Sequence, residues 1–181
     1  MNQLMKNNKR SILDRVMSRY YRYKLGITDK TVIFDTSVYL MRYPKNIFIE
    51  SGAYVKNGAR LCPCNDRAQI YIGNKTTIGY NTLIFASGNI TIGNDCMIAP
   101  NVYLVDSDHG TQVGERMNRQ PNIVGLITVE NDVWIGTGSV ILKDSHIAEG
   151  CVIAANSVVK GTLEPFSIYG GAPAKKIGIR K

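Results

Sequence analysis

An isoleucine, valine or leucine recurs every six residues along most of this chain. The anchors are Ile49, Val55 and Leu61, then Ile72, Ile78 and Ile84, then Ile92, Ile98 and Leu104. After a gap they resume at Val129, Ile135, Ile141, Ile147, Ile153 and Val159. Four positions after most anchors stands a small residue, such as Ala53, Ala59, Thr76, Thr82, Cys96, Ser139, Ser145, Cys151 or Ser157. Glycine, asparagine or aspartate commonly lies between. A period of six fits neither a 3.6-residue helix nor plain two-residue strand alternation. It fits a short strand followed by a turn, with anchor and small residue both pointing inward. One such unit cannot bury its own apolar side, but stacked units can, which is the logic of a solenoid.

This pattern resembles the hexapeptide repeat of the left-handed parallel β-helix acyltransferases, in particular the O-acetyltransferase branch that includes maltose, galactoside and polysaccharide O-acetyltransferases. The resemblance runs from about Val32 to Lys176 and rests on fifteen anchors that keep the period. It implies a mainly β fold, a left-handed parallel β-helix (a triangular solenoid) with an N-terminal amphipathic helix and one long extruded loop. The expected organisation is an N-terminal helical segment at 1–31, a β-helix domain at 32–164 with the loop at about 105–127, and a basic tail at 165–181. In that family three hexapeptides make one coil. Taken in threes, the anchors define coils that start at Ile49, Ile72, Ile92, Val129 and Ile147, spaced by 23, 20, 37 and 18 residues. Insertions therefore follow Leu61, Ile84 and Leu104, each the third anchor of its coil, so all three leave from one corner. Segment 32–48 is expected to form a degenerate first coil, its register blurred by Pro44 and tyrosines.

The largest insertion begins "LVDSDHG" and presents His109, one of two histidines in the chain. An extruded loop on a rigid scaffold is a common place for a site. The neighbours of His109 are polar or flexible, so no apolar face requires the ring there. By the resemblance, His109 is the general base that takes the proton from an acceptor hydroxyl. An imidazole ordinarily titrates near pH 6.5 and suits that task. Asp106 or Asp108 is expected to orient the ring, as carboxylates do in catalytic triads; a backbone carbonyl would serve equally. His146 falls in an outward slot of an unbroken repeat and reads as structural or simply exposed.

The same resemblance implies acetyl-CoA as co-substrate, lying along the outside of the coils between subunits of a homotrimer. The stretches "NDVWIGTGSVIL" and "VIAANSVVKG" match the family's signature coils. They place Gly136, Thr137 and Ala155 beside the pantetheine arm and Trp134 at a subunit interface near the active site. Lys160 and Lys175 are expected at the phosphates, with Lys176 and Arg180 as further candidates. Lys160 is followed by Gly161 rather than the family's usual aspartate, and Pro165 comes late, so the phosphate-binding lysine stays open. Asn81 is a candidate contact to the acceptor. The implied acceptor is a sugar hydroxyl of a saccharide. The alternatives are N-acetylation of a nucleotide-linked amino sugar and a non-catalytic scaffold. A carbonic-anhydrase-like zinc site needs three histidines together, and no metal is expected.

Composition narrows the partners. The formal charge is +8, and the basic residues cluster at the two ends, with Lys6, Lys9, Arg10, Arg15, Arg19, Arg22 and Lys24 at one and Lys160, Lys175, Lys176, Arg180 and Lys181 at the other. No nucleic-acid motif accompanies them, so nucleic acid is not an expected partner. No apolar run approaches the roughly 20 residues that cross a bilayer. No secretory leader is recognisable, and four irregularly spaced cysteines do not form a disulfide framework, so a cytoplasmic setting is expected. Cys96 and Cys151 read as core, and Cys62-Pro-Cys64 lacks the partners of a zinc site. Ile12, Leu13, Val16, Met17 and Tyr20 recur at helical spacing among basic residues and predict an amphipathic helix that ends near Gly26. Its expected roles are capping the open end of the β-helix, packing in the trimer, or weak association with a membrane surface.

Overall fold

The six-residue period folds into three parallel sheets wound about one core. The computed structural model describes residues 10–181; Lys6 and Lys9 of the basic N-terminal cluster lie outside the described residues. Face A stacks Ile33–Phe34, Tyr54–Val55, Thr77–Ile78, Met97–Ile98, Trp134–Ile135, Val152–Ile153 and Ser167–Gly170. Face B stacks Tyr39–Leu40, Arg60–Pro63, Leu83–Ala86, Tyr103–Val105, Val140–Ile141 and Val158–Val159. Face C stacks Ile47–Ile49, Gln69–Ile72, Asn89–Ile92, Leu126–Val129, Ser145–Ile147 and Thr162–Leu163. The chain visits A, B and C in turn, and each visit is one side of a triangular coil. Segment 32–48 forms the first coil, with Pro44–Asn46 as a short 3-10 turn at its B–C corner.

Register stacks like on like. On face A, Val55, Ile78, Ile98, Ile135 and Ile153 pair in line. All fifteen anchors are buried, and each contributes on the order of 1.5–3 kcal/mol by leaving water. The small slots are buried as well, and their polar members are satisfied. The hydroxyls of Thr76 and Thr82 donate to the carbonyls of Gly93 (2.6 Å) and Ala99 (2.9 Å) in the next coil. Those of Ser139 and Ser157 donate to the Ala154 carbonyl (3.0 and 2.7 Å). Cys96 and Cys151 do the same with the carbonyls of Glu130 and Glu164. All four cysteines are free thiols, and burial pushes that of Cys96 up to about 11.

The solenoid extends past residue 164, which corrects the expected boundary. Ser167–Gly170 pairs in parallel with Val152–Ile153 and puts Tyr169 in the anchor slot above Ile153. An aromatic anchor falls outside an aliphatic count, so the period appeared to end at Val159. The tail is also not free: Lys175–Ile179 folds back antiparallel on Ser167–Gly170 and covers the last edge of face A.

At the opposite end lies helix α1, Ile12–Leu25. Ser11 and Asp14 close a capping box at its start, and Gly26 in the left-handed region ends it. The helix seals the first coil with apolar packing by Met17, Tyr21 and Leu25 and with polar side chains. The Ser18 hydroxyl accepts from the Phe34 amide (3.1 Å), and the Tyr21 hydroxyl donates to the Thr36 carbonyl and accepts from the Val38 amide. Arg22 donates to the Val32 carbonyl (3.0 Å) and Arg10 to that of Phe34 (3.3 Å). The end of a solenoid exposes unpaired backbone groups as well as apolar surface, and needs hydrogen-bonding side chains beside apolar ones.

Candidate active site

The insertions after Leu61, Ile84 and Leu104 all leave from the B–C corner, as their spacing predicts. The third is a paired arm rather than an open loop. Ser107–His109 runs antiparallel to Asn122–Val124, with Ser107 opposite Val124, Asp108 opposite Ile123 and His109 opposite Asn122. The tip is closed by Gln120. Its amide accepts from the Gln112 backbone (2.9 Å) and donates to the carbonyls of Gln112 (2.9 Å) and Glu115 (2.8 Å). Gly110 fits beneath that side chain, where a Cβ would lie 2.7 Å from the Gln120 Cβ.

Asp106 fastens the arm to the scaffold. It is fully buried, and its two carboxylate oxygens accept from the backbone amides of Ser87 (2.6 Å) and Gly88 (2.9 Å), in the insertion one coil earlier. Its carbonyl accepts from the Gly125 amide (2.8 Å) on the returning strand. Burial raises its carboxyl above the ordinary 3.8, against the pull of the two amides. Ionisation therefore costs more in the folded chain than in the unfolded one. The group's contribution to stability falls as pH rises from 3.8 through the raised value, and is flat above it. Asp106→Asn keeps one acceptor but turns an amide donor toward the other backbone N–H. A loss of about 1–3 kcal/mol is expected in urea melts at neutral pH, without the wild-type slope at acid pH.

The role expected of Asp106 beside His109 is therefore corrected: both its oxygens are committed to the scaffold. Asp108 lines the same cleft as His109 without a hydrogen bond to the ring. It also adds to the field that holds Lys143 charged, behind the nearer contribution of Asp144. Among the described residues no side chain hydrogen-bonds the His109 ring. The ring lines an open cleft of about 400 Å³ with Phe85, Tyr103, Val105, Ser107, Asp108 and Asn122. Phe85 and Tyr103 come from face B, and burial pushes the Tyr103 phenol up. These two and Asn122 were not singled out in the sequence. Their signal is an aromatic in the outward slot of the two coils that lead into the gap.

A second group gathers at the A–B corner. Gly136 and Thr137 turn from face A to face B, and Ala155 makes the same turn one coil later. A Cβ on Gly136 would lie 2.6 Å from the Ala155 backbone nitrogen, so the coils meet there as bare backbone. The Thr137 hydroxyl donates to the Pro100 carbonyl (2.6 Å). Trp134 stands half-exposed on face A between Met97 and Val152, beside an apolar cleft of about 320 Å³ that reaches Tyr80, Ala99 and Pro100. Asn81 belongs to the same corner, in a left-handed turn (φ 57) with its amide on the Asn57 carbonyl. Lys175 joins this group, exposed and opposite Gly170.

Lys160 does not. It lies at the B–C corner, on the arm's side of the prism, just past Val158–Val159. Lys176 and Arg180 are occupied: Lys176 pairs with Glu164 and Arg180 with Asp132, each at 2.6 Å. His146 pairs with Glu130 at 2.7 Å on face C, away from the arm. Among the described residues no group of three or more His, Cys, Asp or Glu gathers around a possible metal position. The candidate residues thus form two columns, separated by the width of face B. One hexapeptide spans at most about 20 Å.

Residues 127–161 match the family described as bacterial transferase hexapeptide (six repeats). A probable acetyltransferase of Mycobacterium tuberculosis is 28% identical over 168 residues, covering 90% of this chain and 56% of that protein. The galactoside O-acetyltransferase of Escherichia coli is 30% identical over 133 residues, covering 74% and 61%. The chain thus spans somewhat more than half the length of these curated relatives. Among solved structures, AntD, an N-acyltransferase from Bacillus cereus in complex with dTDP-4-amino-4,6-dideoxyglucose and coenzyme A, superposes with a TM-score of 0.75. That match is 24% identical and covers 91% of this chain and 90% of that one. The shared architecture is the left-handed parallel β-helix.

Proposed function

We propose that this chain is a hexapeptide-repeat transferase, an acetyl-CoA-dependent O-acetyltransferase acting on a sugar hydroxyl of a saccharide. The observation that carries the reading is His109, a histidine with no hydrogen bond to its ring among the described residues, held on a paired arm above an aromatic cleft. In this reading its ring removes the proton as the acceptor oxygen attacks the thioester carbonyl. A C–O bond forms, the C–S bond breaks, and the proton passes from the imidazolium to the departing thiolate. Such a base is worth about 10²–10⁴-fold. Among the described residues no serine or cysteine hydrogen-bonds the ring as a nucleophile would, which favours direct transfer over a covalent intermediate. Phe85 and Tyr103 offer flat apolar faces suited to a sugar ring.

Acetyl-CoA would lie along the A–B corner, with its pantetheine arm on the backbone of Gly136 and Ala155 and Trp134 alongside. One chain holds that corner and the arm on different edges of the prism. A homotrimer, in which the arm of one subunit faces the A–B corner of the next, would bring His109, Asp108 and Lys160 to Trp134, Thr137 and Lys175. Exposed apolar residues on the arm, including Val113, Met117 and Ile123, fit a neighbour at that position. Asn81 would then stand at the acceptor end of the groove.

Free-thiol release from acetyl-CoA, with hydroxyl sugars and amino sugars as parallel acceptors, tests this reading. Faster release with hydroxyl acceptors supports it; a preference for amines moves the assignment to N-acetylation, and no binding of acetyl-CoA leaves a scaffold. The lysines give a finer check. Lys175 has no acidic partner among the described residues, whereas Lys176 and Arg180 are paired. Lys175→Ala is expected to raise KM for acetyl-CoA about tenfold, the scale of one charge-assisted phosphate contact, while kcat holds. Lys176→Ala is expected to leave KM within about twofold, as loss of an exposed ion pair should.

A further inference from the structure

Helix α1 leaves one apolar side facing away from the protein. Its docked side combines hydrogen bonds from Ser18, Tyr21 and Arg22 with apolar packing by Met17, Tyr21 and Leu25, so a second apolar face is left over. Leu13, Val16, Tyr20 and Tyr23 follow one another at three- and four-residue steps on the other side, with Ile12 four residues before Val16. Ile12, Leu13, Val16, Tyr20 and Tyr23 are 82%, 58%, 57%, 49% and 86% exposed. Five large side chains in one solvent-facing stripe are not scattered surface hydrophobics, and such a stripe calls for a partner.

Charge narrows the partner. Arg15, Arg19 and Lys24 are exposed beside the stripe. The helix contains one acid, Asp14, and its carboxylate is taken up by Ser11 and Thr36. Those hydroxyls hold it down to about 2, so it stays charged and occupied over the physiological range. At the C-terminal end of the helix, Arg19, Arg22, Tyr23, Ile27, Thr28 and Lys30 line a cleft of about 510 Å³ with a strongly basic rim. An apolar stripe edged with arginine and lysine, and carrying two tyrosines, is the composition of a helix that lies in a lipid interface. A second copy set against the same stripe would bring arginines against arginines, which opposes that pairing.

We propose that the outward face of α1 docks this protein on an anionic membrane surface, with Ile12, Leu13, Val16 and Tyr20 entering the headgroup layer. Arg15, Arg19 and Lys24 meet lipid phosphates. The helix covers one end of the solenoid, so a flat surface reaches it without meeting the arm. In a homotrimer with its axis along the solenoid, three such helices face the same way. Binding one then raises the effective concentration of the other two. The arm leaves from the fourth coil, three strand spacings or roughly 15 Å above the capped end. A saccharide carried on a lipid would come within reach of His109 from there, a consequence that rests on the acetyltransferase reading.

Vesicle flotation tests the docking without reference to activity. The full chain is mixed with vesicles of phosphatidylcholine alone, or with about 30% phosphatidylglycerol added. Wild type is expected to float with the anionic vesicles and stay behind with the neutral ones, and to be released as salt rises to about 0.5 M. Val16→Glu and the pair Arg15→Glu with Arg19→Glu are each expected to lower the bound fraction about tenfold. All three sites are exposed, so melting temperature should hold. Failure of wild type to float, or flotation of Val16→Glu equal to wild type, overturns the proposal. A fall in oligomeric mass for Val16→Glu by light scattering also overturns it, because the stripe would then be a contact between subunits.

Discussion

Replacing His109 by alanine is expected to lower kcat for acetyl transfer to a hydroxyl by about 10²–10⁴-fold while leaving the affinity for acetyl-CoA unchanged. Both halves follow from where the residue stands. The ring is exposed on the arm and lines the cleft with Phe85 and Tyr103, so its removal opens no cavity in the core. The melting temperature should therefore match wild type. The proposed cofactor contacts lie at the A–B corner, a different edge of the prism, so calorimetric binding of acetyl-CoA should be untouched. What is lost is a proton acceptor at the moment an alcohol becomes a nucleophile. An amine acceptor brings its own lone pair and needs less help, so the same variant should lose much less activity on amino sugars. Asp108→Asn serves as the companion. Asp108 lines the same cleft but does not hydrogen-bond the ring, and a loss of less than about tenfold is expected. A loss equal to that of His109→Ala would mean that the arm rearranges when the acceptor binds.

The scaffold was legible because its core obeys a simple rule. A triangular coil repeats the same inward slot every six residues, and only aliphatic side chains of one size fill it. The spacing of Ile49 to Val159 therefore carried the core, the coil phase and the corner from which the insertions leave. The rule failed where a slot was filled by another residue type, as at Tyr169. It also failed where structure is built from polar contacts that have no period. Asp106 and Asp108 look alike beside His109 in the sequence. Burial and two backbone amides separate one from the other, and those amides belong to Ser87 and Gly88, in an insertion a coil away. Pairing of the arm was similarly hidden, because most of its residues face solvent and show no alternation. Helix α1 shows the same limit: the pattern put Met17 in one stripe with Ile12, Leu13, Val16 and Tyr20, whereas Met17 packs against the core and the other four face solvent.

The division of the candidate residues between two edges leads to a second large effect. Ala155 is exposed at the A–B corner, and leucine there should be accommodated by the fold while it blocks the backbone beneath it. Ala155→Leu is therefore expected to abolish acetyl-CoA binding, and His109→Ala to slow transfer by about 10²–10⁴-fold. If each site is built from the arm of one subunit and the A–B corner of the next, mixing the two impaired variants restores activity. In a randomly mixed trimer, a given interface receives an intact arm with probability one half and an intact corner with probability one half. About one quarter of wild-type activity should return, provided that subunits exchange or are coexpressed. If the two edges of a single chain served one site, every subunit would carry one lesion and no activity would return at any ratio. The expected recovery is about 25- to 2,500-fold above the His109→Ala parent, well beyond the error of a thiol-release assay. The dependence on ratio adds a further check. Recovery should peak at equal amounts and fall symmetrically on either side, because an intact interface needs one chain of each kind. Activity that instead rises steadily with either variant would come from that variant alone and would remove the argument for a site shared between subunits.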